Sequence, residues 1–131
     1  MDYRDLEKSN LEFDRVVSVG MLEHVSRENY ELFFKNVDAV LKDKGLFLLH
    51  YISGRKESSG DPWIKKYIFP GGVIPSLREI INIGSELNYY TLDVESLRRH
   101  YTKTLLCWYE NYKNNIDKIS NMFDERFVRM L

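Results

Sequence analysis

An α/β fold built on parallel strands is predicted by three features of the chain. Residues 13–19, Phe-Asp-Arg-Val-Val-Ser-Val, and residues 46–51, Leu-Phe-Leu-Leu-His-Tyr, are short apolar runs rich in strand formers. Between them Tyr30, Phe33, Phe34, Val37, Val40 and Leu41 recur at spacings of three and four, the stripe of a helix that packs on a sheet. A strand, a helix and a strand in that order make a right-handed parallel crossover. The β-branched run Val16, Val17, Val19 favours a strand covered on both faces, as parallel strands usually are.

Each element has its own local signals. Residues 1–12 are charged and without a sustained period, so they read as a loop feeding the first strand. Gly20 ends that strand and lets the backbone turn, delivering Glu23 and His24 at its carboxyl end, where ligands of open α/β sheets bind. Ser26 is placed to cap the following helix through its side-chain oxygen. Lys42, Asp43 and Lys44 end the helix, with Gly45 as the left-handed residue beyond it. His50 then stands at the carboxyl end of the second strand, so that it and Glu23 can face one cavity.

Residues 52–62 form a polar loop, and 63–74 an aromatic and basic segment bounded by Pro70, Gly71 and Gly72. Two readings stand for this segment. Trp63, Tyr67, Ile68 and Phe69 beside Lys65 and Lys66 suit a mobile flap touching an acyl chain and a lipid phosphate, or a satellite core packed under a long loop. Pro75 and Ser76 open a helix with Leu77, Ile80, Ile81 and Leu87 inward, ending near Asn88. Tyr89 to Val94 has the alternation of a further strand. Tyr101, Leu105, Trp108, Tyr109, Tyr112, Ile116 and Ile119 mark a long amphipathic helix over 100–119, interrupted at Ser120 and Asn121, and a last helix starts at Asp124.

Composition sets the outer bounds. At 131 residues and 44% hydrophobic content the chain is at most one domain with a real core. Nineteen basic against twenty acidic residues leave a net charge of −1, so no overall field would hold nucleic acid or an anionic membrane, and any such contact must be a local patch. The one cysteine, Cys107, excludes an internal disulfide framework and any zinc-type cysteine cluster, and suits a reducing compartment; on a helix rich in Leu and Trp it reads as a core residue. The polar first residues lack a signal-peptide core, and no run approaches eighteen apolar residues, which fits a cytoplasmic chain, soluble or peripheral to the inner membrane face.

Ser-Val-Gly-Met-Leu-Glu-His-Val at 18–25 resembles the signature after the fourth strand of cyclopropane-fatty-acyl-phospholipid synthases, which are S-adenosylmethionine-dependent methyltransferases. Asp-Tyr-Arg-Asp at 2–5, Leu-Phe-Leu-Leu-His at 46–50, Asp-Pro-Trp-Ile-Lys-Lys-Tyr-Ile-Phe-Pro at 61–70 and Tyr-Thr-Lys-Thr-Leu-Leu-Cys-Trp-Tyr-Glu at 101–110 fit the same family in the same order. The resemblance spans nearly the whole chain. It implies a partial Rossmann-like class I methyltransferase sheet with flanking helices, comprising counterparts of the fourth, fifth and sixth strands, as the C-terminal part of one catalytic domain over 1–131. The family's glycine-rich cofactor loop and its last strand have no counterpart in these residues, so the chain reads as a fragment that by itself neither binds S-adenosylmethionine appreciably nor turns over.

The resemblance also implies roles. Tyr3 and Arg4 match positions that border the cofactor's adenine, and Val19, Gly20 and His24 fall on the cofactor side of the first strand. Glu23, His50, Tyr101 and the backbone of Ile52 match the ligands of a bicarbonate that acts as base in methylenating a cis double bond of a phospholipid acyl chain. No metal is implied; the partners are acyl chains at the membrane surface, with a homodimer left open. From the residues alone other readings stand beside these. Glu23 or His24 satisfies backbone groups before the helix, His50 is a hydrogen-bonded strand-end histidine, and Tyr101 belongs to a helix core face. A methyltransferase for another lipid or small molecule, and a noncatalytic lipid-binding module, are the competing functions.

Overall fold

The computed structural model describes residues 3–58 and 60–130, and for residues 3 and 4 the backbone only. They fall into two compact units, Met1–Leu92 and Asp93–Leu131. In the first, a 3-10 helix over Tyr3–Ser9 leads into β1 (Phe13–Val19), α1 (Tyr30–Asp38), β2 (Leu41–His50), α2 (Pro62–Tyr67) and α3 (Leu77–Glu86). β1 and β2 pair in parallel, in register from Arg15 opposite Leu46 to Val19 opposite His50, with α1 as the crossover. The predicted strand-helix-strand unit is present.

The stripe read from the sequence is the core. Tyr30, Phe33, Phe34, Val37 and Val40 are all buried, and Leu22, Val25 and Ile80 join them. Phe34 meets Phe33, Phe47 and Tyr89 edge-on at ring distances of 5.8, 5.8 and 6.3 Å. Each such side chain contributes about 1.5–3 kcal/mol by leaving water. Along the strands the period of two turns Val16, Ser18, Phe47 and Leu49 toward this core. Val17, Val19 and Leu48 point the other way and are 65, 63 and 55% exposed, so the expected cover on both faces is corrected to cover on one. A single crossover puts its helix on one face only.

Other boundaries differ from expectation for local reasons. α1 stops at Asp38, and Leu41 already pairs with Phe13, so Lys42–Gly45 bulge from the ladder instead of ending the helix. The left-handed residue is Lys44 (φ 60°), not Gly45. Gly45 is needed for space, because a Cβ there would lie 2.6 Å from Leu41 Cδ1 and 2.8 Å from the Lys42 carbonyl oxygen. Ser26 accepts no backbone amide; its hydroxyl donates to Glu28 and accepts from Asn29 Nδ2, leaving a 3-10 turn, Arg27–Asn29, before α1. At α3 the predicted helix start at Pro75 and Ser76 holds. Ser76 Oγ accepts from the Glu79 amide at 3.1 Å while Glu79 Oε2 accepts from the Ser76 amide at 2.9 Å. Ile80 is buried and Leu87 packs on the core, but Leu77 and Ile81 are exposed.

α3 closes with Asn88 in the left-handed region (φ 62°), the Tyr89 amide donating to Gly84 O at 2.9 Å and the Asn88 amide to Ser85 O at 3.1 Å. That turn drives Tyr89 onto Phe34 and Phe47. Residues 89–94 form no strand, a second correction: Tyr90 is 91% exposed, and a single segment without a ladder partner does not hold strand geometry.

The second unit contains α4 (Arg98–Asn114), α5 (Ile116–Met122) and α6 (Glu125–Met130). The break falls at Asn115 and not at Ser120 and Asn121. Asp124 caps α6 by accepting from the Phe127 amide, the Tyr112 hydroxyl donates to Val128 O, and Phe123 stacks on Phe127 at 4.1 Å. No residue of α4 is buried, and Cys107 is exposed, which corrects its core assignment. The apolar stripe of α4 is not buried within its own unit.

Candidate functional site

The site starts where β1 runs out. Gly20 takes a left-handed backbone (φ 62°), and its amide donates to His50 O at 3.0 Å, which carries the parallel ladder one step past the strand. A Cβ at Gly20 would meet nothing within 4 Å, so the space beside this turn is open. Leu22, fully buried, anchors the 3-10 turn Leu22–His24 and thereby fixes Glu23.

Glu23 is held at two atoms. Its Oε1 accepts the Ile52 amide at 2.6 Å, joining the ends of the two strands, and its carbonyl oxygen accepts the Val73 amide at 3.0 Å. Its other carboxylate oxygen, Oε2, is buried and has no hydrogen-bond partner among the described residues. A buried acceptor of that kind is suited to a donor from outside the protein. Below it lies the Tyr30 hydroxyl, also buried without a partner; burial first of all, with smaller opposition and support from Arg27 and from Glu79 and Glu23, pushes it up to about 12.

Glu23 and His50 follow the carboxyl ends of adjacent parallel strands, as expected. His50 stands opposite Val19 on the bare face and is exposed. The amide of Ile52, expected to face an anion, is engaged by Glu23 itself. His24 is exposed, its ring edge-on to Phe69 at 6.0 Å. Val19 and Gly20 border the open turn. Tyr101 belongs to α4 in the second unit, 46% exposed and edge-on to Trp108 at 6.0 Å. The Tyr3 and Arg4 side chains lie outside the described residues. Among the described residues no group of three His, Cys, Asp or Glu is placed to hold a metal ion.

Sequence reading missed the device that holds the segment after β2 against this site. Ser58 and Ile74 form an antiparallel bridge, Gly54 and Ser76 a parallel one, and the Gly54 amide donates to Pro75 O at 2.8 Å. Across this neck lies Arg27, four residues after Glu23. Its Nη2 donates to Ser58 O and Ile74 O, each at 3.4 Å, and its Nε pairs with Glu79 Oε1 at 2.5 Å. Glu57 ties in from the other side, accepting from Ser76 Oγ at 2.7 Å and from Arg78 Nε at 3.0 Å; the Arg78 bonds and then Ser76 hold its carboxyl down at about 2. The helix start at Ser76 was legible in the sequence. The arginine partner of Glu79, 52 residues earlier in the chain, was not.

With this geometry in view, the relatives are informative. The family described as mycolic acid cyclopropane synthetase matches residues 1–131. The chain is 46% identical over 130 residues to the cyclopropane-fatty-acyl-phospholipid synthase of Escherichia coli strain K12, covering 98% of this chain and 33% of that protein. It is 35% identical over 136 residues to the tuberculostearic acid methyltransferase UfaA1 of Mycobacterium tuberculosis, covering 98% and 31%. The fold superposes on the crystal structure of mycolic acid cyclopropane synthase CmaA1 complexed with SAH and CTAB, with a TM-score of 0.78 and 28% identity over 95% of this chain and 49% of that one. The cyclopropane synthase MmaA2 from Mycobacterium tuberculosis shares the fold with a TM-score of 0.79. The chain thus spans about one third of the curated relatives and about half of the solved ones. The family model matches the whole chain and the relative in Escherichia coli is nearly half identical along almost all of it: the chain belongs to the mycolic acid cyclopropane synthetase family.

Proposed function

We propose that these residues serve an S-adenosylmethionine-dependent methyltransferase that acts on phospholipid acyl chains at the inner face of the membrane, methylenating a cis double bond. The observation that carries the reading is the carboxylate of Glu23, pinned through Oε1 while the buried Oε2 has no hydrogen-bond partner among the described residues. Support comes from the relative in Escherichia coli, whose name states this reaction class, and from the solved relative complexed with SAH. No helix among the described residues is long and apolar enough to cross a membrane, which suits attachment at the surface.

The open space beside Gly20 is compatible with a nucleoside approaching the backbone there, flanked by Val19 and His24, with Tyr3 and Arg4 as further contacts in this reading. When bound, S-adenosylmethionine supplies an electrophilic methyl group. Closing the ring then requires that a proton leave the added carbon, and a positioned base contributes about 10²- to 10⁴-fold to such a step. The orphan Oε2 would fit a bicarbonate at that point, since a carboxylate accepts its hydroxyl while His50 has a hydrogen-bond donor for its oxygens. Glu23 orients this base; His50 adds a donor from the end of β2.

A chimera carrying residues 1–131 in place of the matching third of the Escherichia coli enzyme tests the reading. Glu23→Gln and His50→Ala are expected to lower lipid product by about 10²-fold or more while cofactor affinity by calorimetry stays within a few fold. Unchanged rates in both variants would remove these residues from the mechanism, and loss of cofactor binding would move them to the nucleoside site.

A further inference from the structure

The neck described above closes an excursion, residues 60–73, whose tip gathers exposed aromatic and basic side chains. Asp61 caps α2 by accepting the Trp63 and Ile64 amides, Pro62 sits in the first turn, and the Ile68 and Phe69 amides both donate to Ile64 O. Several backbone amides at the tip are therefore already bonded, which lowers the cost of entering an apolar medium. Trp63, Ile64 and Phe69 are 42, 37 and 49% exposed. Lys66 is exposed beside them, its Nζ 5.0 Å above the Tyr67 ring, and Trp63 leans on Tyr67 at 6.1 Å. Lys65 stands half-buried on the same turn.

We infer that the α2 excursion, led by Trp63, Ile64 and Lys66, is the surface through which the protein meets an anionic phospholipid bilayer. This rests on the lipid substrate proposed above. Trp with flanking Lys is the composition of an interfacial anchor, an amphipathic ring at headgroup depth with cations beside lipid phosphate. The exposed apolar area on the sheet, Val17, Val19, Leu46 and Leu48, is by contrast aliphatic and carries no lysine. The excursion also reaches the site: Phe69 lies against His24, and the Val73 amide bonds Glu23 O.

The chain has two tryptophans, Trp63 and Trp108, so Trp108→Phe leaves Trp63 as the sole reporter. With phosphatidylglycerol vesicles its emission is expected to shift to the blue and to be quenched by brominated acyl chains, far less with phosphatidylcholine. Lys65→Gln/Lys66→Gln should weaken vesicle binding roughly 30-fold, at the usual contribution of one lysine near an anionic surface. Co-sedimentation with unchanged Trp63 emission, or no co-sedimentation at all, would overturn the inference. So would a blue shift that depends on protein concentration without lipid, which would make the tip a self-association surface. In the chimera, the lysine double variant should lose product on vesicles and keep it on detergent-dispersed phospholipid; equal loss on both would also overturn it. A parent chimera that modifies no lipid would refute the proposed function instead, leaving the Trp63 measurement to decide the surface.

Discussion

The two faces of the β1-β2 sheet differ in what they depend on. On the covered face Val16, Ser18, Phe47 and Leu49 lie against α1, and their positions are set by the same packing that holds Leu22 and thus Glu23. On the bare face Val19 and His50 sit side by side with nothing from their own unit over them. A carboxylate four residues beyond β1 and an imidazole at the last residue of β2 are therefore held differently: Glu23 by the core and two hydrogen bonds, His50 by backbone register. Preorganisation within the first unit comes from one side of the sheet.

The largest test of this asymmetry is in the core. Phe34→Ala, which removes a ring packed on Phe33, Phe47 and Tyr89, should cost about 3–5 kcal/mol. Leu48→Ala on the bare face should cost less than about 1 kcal/mol. Denaturant unfolding of both variants decides; equal losses would mean that the bare face is covered in solution and the comparison fails.

A smaller effect concerns the neck. Replacing Arg27 by Gln takes the guanidinium from Ser58 O, Ile74 O and Glu79, and leaving such groups unpaired costs about 1–3 kcal/mol. Hydrogen exchange should then quicken about 10- to 100-fold at the Val73 and Gly54 amides, with the β1-β2 amides unchanged. Equal acceleration in the strands would make Arg27 part of the global core and not a local clamp.

The smallest is a pH effect. Glu57 is held at about 2, below the ordinary 4.5, chiefly by Arg78. A depressed carboxylate contributes stability that is fully present above 4.5 and is lost as pH falls through about 2. Wild-type protein should therefore lose more stability than Glu57→Gln between those two values in an acid titration monitored by circular dichroism. Parallel curves would show that the exposed Glu57–Arg78 pair is fully screened.

What the sequence by itself determined was local or periodic. The stripe Tyr30 to Val40, the strand β1 and the helix starts at Ser76 and Asp124 each involve residues a few positions apart, and such patterns are physical constraints on a short stretch of backbone. Glu23 and His50 were legible as a site because parallel strands put their carboxyl ends together, and the blocks around them carried the family. Only the tertiary structure decided the rest. Whether Tyr89 to Val94 is a strand depends on a ladder partner, and whether Val17 and Val19 are covered depends on a second layer; neither is encoded in the segment itself. The engagement of Ile52 by Glu23, and of Ser58, Ile74 and Glu79 by Arg27, joins residues 29 to 52 positions apart through single hydrogen bonds, which leave no periodicity or composition to read. Hydrophobic burial is a sum over many residues and survives in sequence as a pattern, whereas a directional bond between two distant groups exists only once the chain has folded.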